Sequence, residues 1–210
     1  ALPADRVIAS STSGFTASAL QKDMAHPGRF VIGHPFNPPH LIPLVEVVGG
    51  ERTDPEAVRW AMTFYRAVGK HPIHIRKEVP AHIANRLQAV LWREAVHLAA
   101  EGVASVADID AAIAYGPGLR WALMGPHLTF HLAGGEGGMK HFLDHLGPPM
   151  EGWWKTMGQP SLTPEVKDVL TRGITEEIGT RSYADLAGER DRRLVALLAV
   201  LGIGRGDGGR

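Results

Sequence analysis

Apolar residues run along the chain in two rhythms, and the change from one to the other falls near Val79. Before that point, short apolar runs alternate with stretches of helical period. Asp5 to Ser10 reads as a short buried strand, Arg29 to Gly33 as a second with Phe30, Val31 and Ile32 apolar, Leu44 to Val48 as a third and His71 to Ile75 as a fourth. Thr16 to about Met24 has helical spacing. Thr53-Asp54-Pro55-Glu56 then offers a capping side chain, a proline at the first helical position and an acid in the first turn, which predicts a helix. That helix places Ala57, Trp60, Ala61, Phe64 and Val68 on one face, with Trp60 expected in the core. It stops at Gly69, a residue suited to a left-handed cap. Strands alternating with helices predict a parallel, helix-covered sheet.

From Val79 the strand pattern is gone. Pro80 opens a long helical stretch through Asn85, Leu87, Leu91, Trp92, Ala95 and Leu98 to Gly102, and Ser105 with Asp108 resembles a capping box for a helix to Tyr115. Further helices are expected over Pro126 to Leu132, Met139 to Leu146, Pro164 to about Ile174 and Tyr183 to Leu201, with a Gly/Pro-rich connection over 147–162. The fold class is therefore α/β followed by all-α. Residues 1–78 form the strand-bearing part and residues 79–210 a helical bundle domain.

Composition removes several function classes. Lys plus Arg equals Asp plus Glu at 22 each, so no net field draws the chain to nucleic acid or an anionic membrane. No apolar run reaches the roughly 18 residues of a membrane span, and the N-terminus lacks a signal pattern. Cysteine is absent, which excludes disulfides, thiolate metal sites and a cysteine nucleophile, and suits the cytoplasm.

Candidate chemistry gathers where the second strand runs out into a proline-broken loop, His34-Pro35-Phe36-Asn37-Pro38-Pro39-His40-Leu41-Ile42-Pro43. A histidine at a strand end can exchange a proton near neutral pH, and a carboxylate can hold its second ring nitrogen. Glu46 lies inside the apolar strand Leu44 to Val48, where an ionised group needs a partner to offset its desolvation, and His34 fits. Upstream, the hydroxyls of Ser10-Ser11-Thr12-Ser13 end the first strand; they suit a ligand, and equally a helix cap. Asn85 alone reads as an ordinary polar residue near a helix start. Two histidine pairs, His127/His131 and His141/His145, have the i, i+4 spacing of a zinc site, but Leu128 and Phe142 stand where a metalloprotease carries glutamate and no third ligand follows by spacing. Arg120 and Trp121, in a Gly/Pro-bounded stretch, could meet a carboxylate and a quaternary ammonium, or simply pack; no role is assigned to them.

The block from Ile8 to Asn85, with its Ser-rich strand end, His-x-Phe-Asn-Pro, Leu-Val-Glu-Val-Val, Gly-Lys-x-Pro and Asn-Arg in that order, resembles the L-3-hydroxyacyl-CoA dehydrogenase family, and the likeness runs on to about residue 200. Pro43 and the segments 118–126 and 130–139 look closest to the branch acting on small hydroxy acids, the carnitine and gulonate 3-dehydrogenases. The resemblance implies a Rossmann-type sheet carrying NAD, a helical domain that dimerises, and a small hydroxy acid as substrate. It implies a site of Ser13, His34, Glu46 and Asn85, with His34 as general base. It also implies a leading half of the dinucleotide fold with Gly-x-Gly-x-x-Gly, which does not precede Ser10. The glycine-rich stretches present, 134–138 and 202–206, lack the strand-to-helix setting of a phosphate loop. The expectation is a fragment of a longer dehydrogenase, without residues of its own for the pyrophosphate.

Overall fold

In the computed structural model, residues 2–3 and 5–203 are described. The chain divides into two compact units, Ala1–Gln88 with Ser182–Arg210, and Ala89–Arg181.

The first unit is built on a four-stranded sheet: β1 (Ile8–Ser10), β2 (Phe30–Pro35), β3 (Leu44–Gly49) and β4 (His71–His74), in the order β1-β2-β3-β4. β1 pairs with β2 in parallel, and so does β3 with β4. β2 and β3 run antiparallel, because only the loop at 36–43 joins them and no helix lies between; a parallel pairing needs a crossover of a dozen residues or more. The expected α/β class holds, with this one reversal inside the sheet. Its register sets His34 directly opposite Glu46.

Alternation along the strands separates two apolar layers. Phe30, Ile32 and Val48 pack with Ala17 and Ile75 on the face covered by α1 (Ala17–Gln21), and Val31, Val45 and Val47 pack with Ala57 and Ala61 of α2 (Pro55–Ala67) on the other. His34 and Glu46 continue the first set. The expectation for Trp60 fails: it is 51% exposed and stacks on Phe64 with ring centroids 5.1 Å apart. The buried stripe of α2 runs through Ala57 and Ala61 flanked by Val58, Met62 and Tyr65, which turns Trp60, Phe64 and Val68 outward. α9 (Tyr183–Val200) belongs to this unit and opens on a capping box of Ser182 and Asp185.

α3 (Ala84–Ala100) begins four residues later than Pro80, for a reason that belongs to the site. In the second unit follow α4 (Val106–Tyr115), α5 (Pro117–Trp121), α6 (Pro126–Ala133), α7 (Gly138–Trp154) and α8 (Pro164–Ile178). α5 forms inside the Gly/Pro-bounded stretch that carries Arg120 and Trp121, as a single turn with Pro117 at its first position. α7 passes through Pro148 and Pro149 instead of ending at Leu146, since proline φ is helical and only two ladder donors are lost. The glycines at 134–138 close the α6/α7 hairpin: a Cβ on Gly134 would overlap the Gly138 carbonyl, and Gly138 has φ of 59°. Phe130 and Phe142 stack across this hairpin at 4.7 Å.

Candidate active site

Cross-strand neighbours on one face of an antiparallel pair have Cβ atoms about 5 Å apart, and the β2/β3 register gives that relation to His34 and Glu46. His34 Nδ1 lies 2.8 Å from Glu46 Oε2, with the imidazole 6% exposed and the glutamate fully buried. The other carboxylate oxygen, Oε1, accepts the backbone N–H groups of Ile83 and Ala84, each at 2.9 Å. Glu46 thus has three donors and no contact with water, which offsets the cost of burying its charge. Two of them sit at the start of α3, where the helix dipole favours an anion. An ionised carboxylate only accepts, so Nδ1 is the donor to Glu46, and it is Nε2 that carries the lone pair whenever the ring is neutral.

The backbone that delivers those two N–H groups is strained. Ala81 and His82 have φ of 65° and 57°, left-handed values that cost L-residues about 1–2 kcal/mol each. His82 N–H bonds back to the Val79 carbonyl at 3.2 Å. This turn replaces the first helical turn read at Pro80 and swings the amides of Ile83 and Ala84 onto Glu46. Strain held by its surroundings is common at functional sites.

Asn85 is the second residue of α3, half-buried, immediately after Ala84. Ser13 lies in the bend after β1, exposed, immediately after Thr12. Among the described residues neither side chain makes a hydrogen bond to the protein, the His34–Glu46 pair included. The link from Ser13 to the pair is His82, which sequence reasoning missed: its Nε2 meets the Thr12 carbonyl at 3.2 Å, and its ring centroid is 5.0 Å from that of His34. The available signal was a second histidine just before the Asn-Arg motif, masked by the expectation of helix. Lys70, noted only within Gly-Lys-x-Pro, staples the loop after His34 by donating to the carbonyls of Pro39 and Ile42.

Three of the four histidines in the two i, i+4 pairs are spent on backbone. His131 Nδ1 accepts the Met139 N–H, His141 Nδ1 meets the Gly134 carbonyl and His145 Nδ1 the His141 carbonyl. Among the described residues no group of three or more ligating side chains is placed around a metal, and no helix is long and apolar enough to cross a membrane.

Residues 1–79 match the NAD binding domain of 3-hydroxyacyl-CoA dehydrogenase and residues 82–166 match its C-terminal domain. The chain is 56% identical over 202 residues to an L-carnitine dehydrogenase of Streptomyces griseus, covering 96% of this chain and 60% of that protein. It is 49% identical over 197 residues to an L-carnitine dehydrogenase of Pseudomonas putida, covering 94% and 61%. A solved structure of 5-formyl-3-hydroxy-2-methylpyridine 4-carboxylic acid 5-dehydrogenase, an NAD+ dependent dismutase, superposes with a TM-score of 0.78 at 29% identity, over 98% of this chain and 66% of that one.

The chain belongs to the 3-hydroxyacyl-CoA dehydrogenase family. It spans about three-fifths of the length of the curated relatives it matches. The described residues offer NAD one place: Ser11, Thr12 and Ser13 follow the carboxyl end of parallel strand β1, where ligands bind in open α/β sheets. They do not fit the pyrophosphate end, for no glycine-rich strand-to-helix turn occurs among them.

Proposed function

We propose that this chain carries the proton-transfer site and helical domain of an NAD-dependent dehydrogenase that oxidises a small 3-hydroxy acid to its 3-oxo acid, carnitine-like first and gulonate-like second. The observation that carries this reading is the buried His34–Glu46 pair, in which Nδ1 is committed to the carboxylate and Nε2 has no hydrogen-bond partner among the described residues. His34 Nε2 takes the hydroxyl proton of the substrate as hydride leaves the same carbon, and returns it to the carbonyl oxygen in reverse; such a base is worth about 10²–10⁴ in rate. NAD, when bound, supplies the hydride acceptor. Glu46 stabilises the imidazolium that results, and the Ser13 hydroxyl and Asn85 amide, uncommitted within the protein, donate to the oxygen whose charge changes.

The functional boundary belongs between residues 78 and 79, with NAD held on the strand side and substrate and dimer contacts on the helical side. A homodimer is supported by the second unit itself: Trp92, Trp153 and Trp154 are each more than half exposed. So much apolar surface on so small a unit marks an interaction face. The cytoplasm is the compartment that suits a chain free of cysteine.

Initial rates of NADH formation with L-carnitine, L-gulonate and 3-hydroxybutyryl-CoA, measured on the natural protein that contains this segment, test the substrate class. Carnitine is expected to be turned over fastest. A preference for the acyl-CoA would move the assignment to the acyl-CoA branch of the family, and no turnover of any of the three, together with no heat on titrating NADH, would leave a structural module.

A further inference from the structure

His82 is a buried titratable side chain, 3% exposed, with no part in the proton transfer described above. Its backbone is left-handed, a conformation in which histidine and asparagine are enriched several-fold over other side chains with a Cβ. Its ring lies between two parts of the site. One edge, Nε2, meets the Thr12 carbonyl at 3.2 Å, and the ring packs against His34 with planes tilted by 36°. A carbonyl oxygen only accepts, so Nε2 of His82 carries a proton whatever the charge of the ring. The two neighbours in sequence, Ile83 and the preceding Ala81, belong to the turn that grips Glu46.

We infer that His82 is a positioning residue for the dehydrogenase reaction: it ties the loop bearing Ser13 to the His34 ring, so that hydroxyl donor and base face one substrate oxygen at a fixed separation. The inference rests on the reading of His34 as the base. Each half of the ring's task excludes a simpler residue. Phenylalanine would pack on His34 but leave the Thr12 carbonyl without its donor; a shorter amide would keep the backbone conformation but fall short of that carbonyl. Among the described residues no other side chain hydrogen-bonds the β1 loop to the turn at 80–84.

Two variants separate tether from packing. His82→Asn keeps the left-handed preference and places its amide near the Nδ1 position, out of reach of Thr12; His82→Gln carries an amide nitrogen near the Nε2 position. In the natural protein, His82→Asn is expected to lower kcat about 10- to 100-fold, the scale of a misplacement of about 1 Å, with KM for NAD unchanged, and His82→Gln to recover most of the loss. In ¹⁵N NMR spectra of the 210-residue chain, the amide signals of residues 11–14 are expected to move in His82→Asn and return toward their wild-type positions in His82→Gln. Unmoved 11–14 amides together with wild-type kcat in a folded His82→Asn protein, while His34→Asn is inactive, would overturn this role for His82 alone. Turnover surviving in His34→Asn would instead remove the reading on which it rests.

Discussion

An imidazole serves as a base only when one nitrogen is committed and the other is left with its lone pair. At His34 that commitment comes from a glutamate whose own two oxygens are fully used, one by the ring and the other by two backbone amides. Glu46→Gln keeps the size and can still accept from Ile83 and Ala84 through its carbonyl oxygen, but it then turns an NH2 group toward Nδ1 and forces the proton onto Nε2. The expected result is a kcat lower by about 10²–10⁴ with little change in KM for NAD, measured by steady-state kinetics. At this scale the sequence was informative about His34 and Glu46, because a carboxylate inside Leu44–Val48 demands a partner and a histidine 12 residues earlier supplies one. It said nothing of His82, whose importance comes from a backbone turn that no periodicity announces. The parts assigned to Ser13 and Asn85 come from resemblance, and it is their sequence neighbours Thr12 and Ala84 whose hydrogen bonds are seen at the site.

At the scale of elements, the site depends on β2 lying close to α2. A Cβ on Gly33 would overlap the Tyr65 hydroxyl and stand 2.7 Å from two of its ring carbons. Gly33→Ala is therefore expected to destabilise the chain by about 1–3 kcal/mol in urea denaturation, and Tyr65→Phe should not restore it, since the ring carbons remain. The same tight packing raises the Tyr65 hydroxyl above the ordinary tyrosine range by burial. In the same unit, the Ser182 hydroxyl foremost, and then its N–H, hold the Asp185 carboxyl below the usual aspartate value. A depressed folded-state pKa contributes stability that is fully present above the unfolded value and is lost as pH falls through the folded one. The start of α9 should therefore stay capped at neutral pH and loosen only below the ordinary aspartate range. Ser182→Ala should raise the midpoint of the Asp185 carboxyl ¹³C titration; an unchanged midpoint would contradict the cap. Strand and helix identities were legible from period, and so was the N-cap at Ser105, whose hydroxyl accepts the Asp108 N–H, although the reciprocal bond of a capping box does not form there. What was not legible had local causes: the left-handed turn displaced the start of α3, and α7 absorbed two prolines that ordinarily end a helix.

For the whole molecule, the sheet unit has two apolar layers of its own, whereas the helical unit buries few large side chains and exposes many. Light scattering at tens of micromolar is expected to give twice the 22.6 kDa chain mass; a clean monomer would contradict the dimer. Sequence pattern conveyed the division into strand-bearing and helical parts but not that the chain returns, through α9, to the unit holding the sheet. That return is a long-range packing outcome with no local signature. The order of motifs from Ser13 to Asn85 mattered at this scale, since four separated residues make one site only if the sheet brings their loops to the same end. The claim on which all of this depends is that His34 moves the substrate's proton. Steady-state turnover of His34→Asn with L-carnitine, in the natural protein containing this segment, tests it most directly. Loss of turnover by about 10²-fold or more, with NADH affinity nearly unchanged, is the expected result, and near-normal turnover would contradict it.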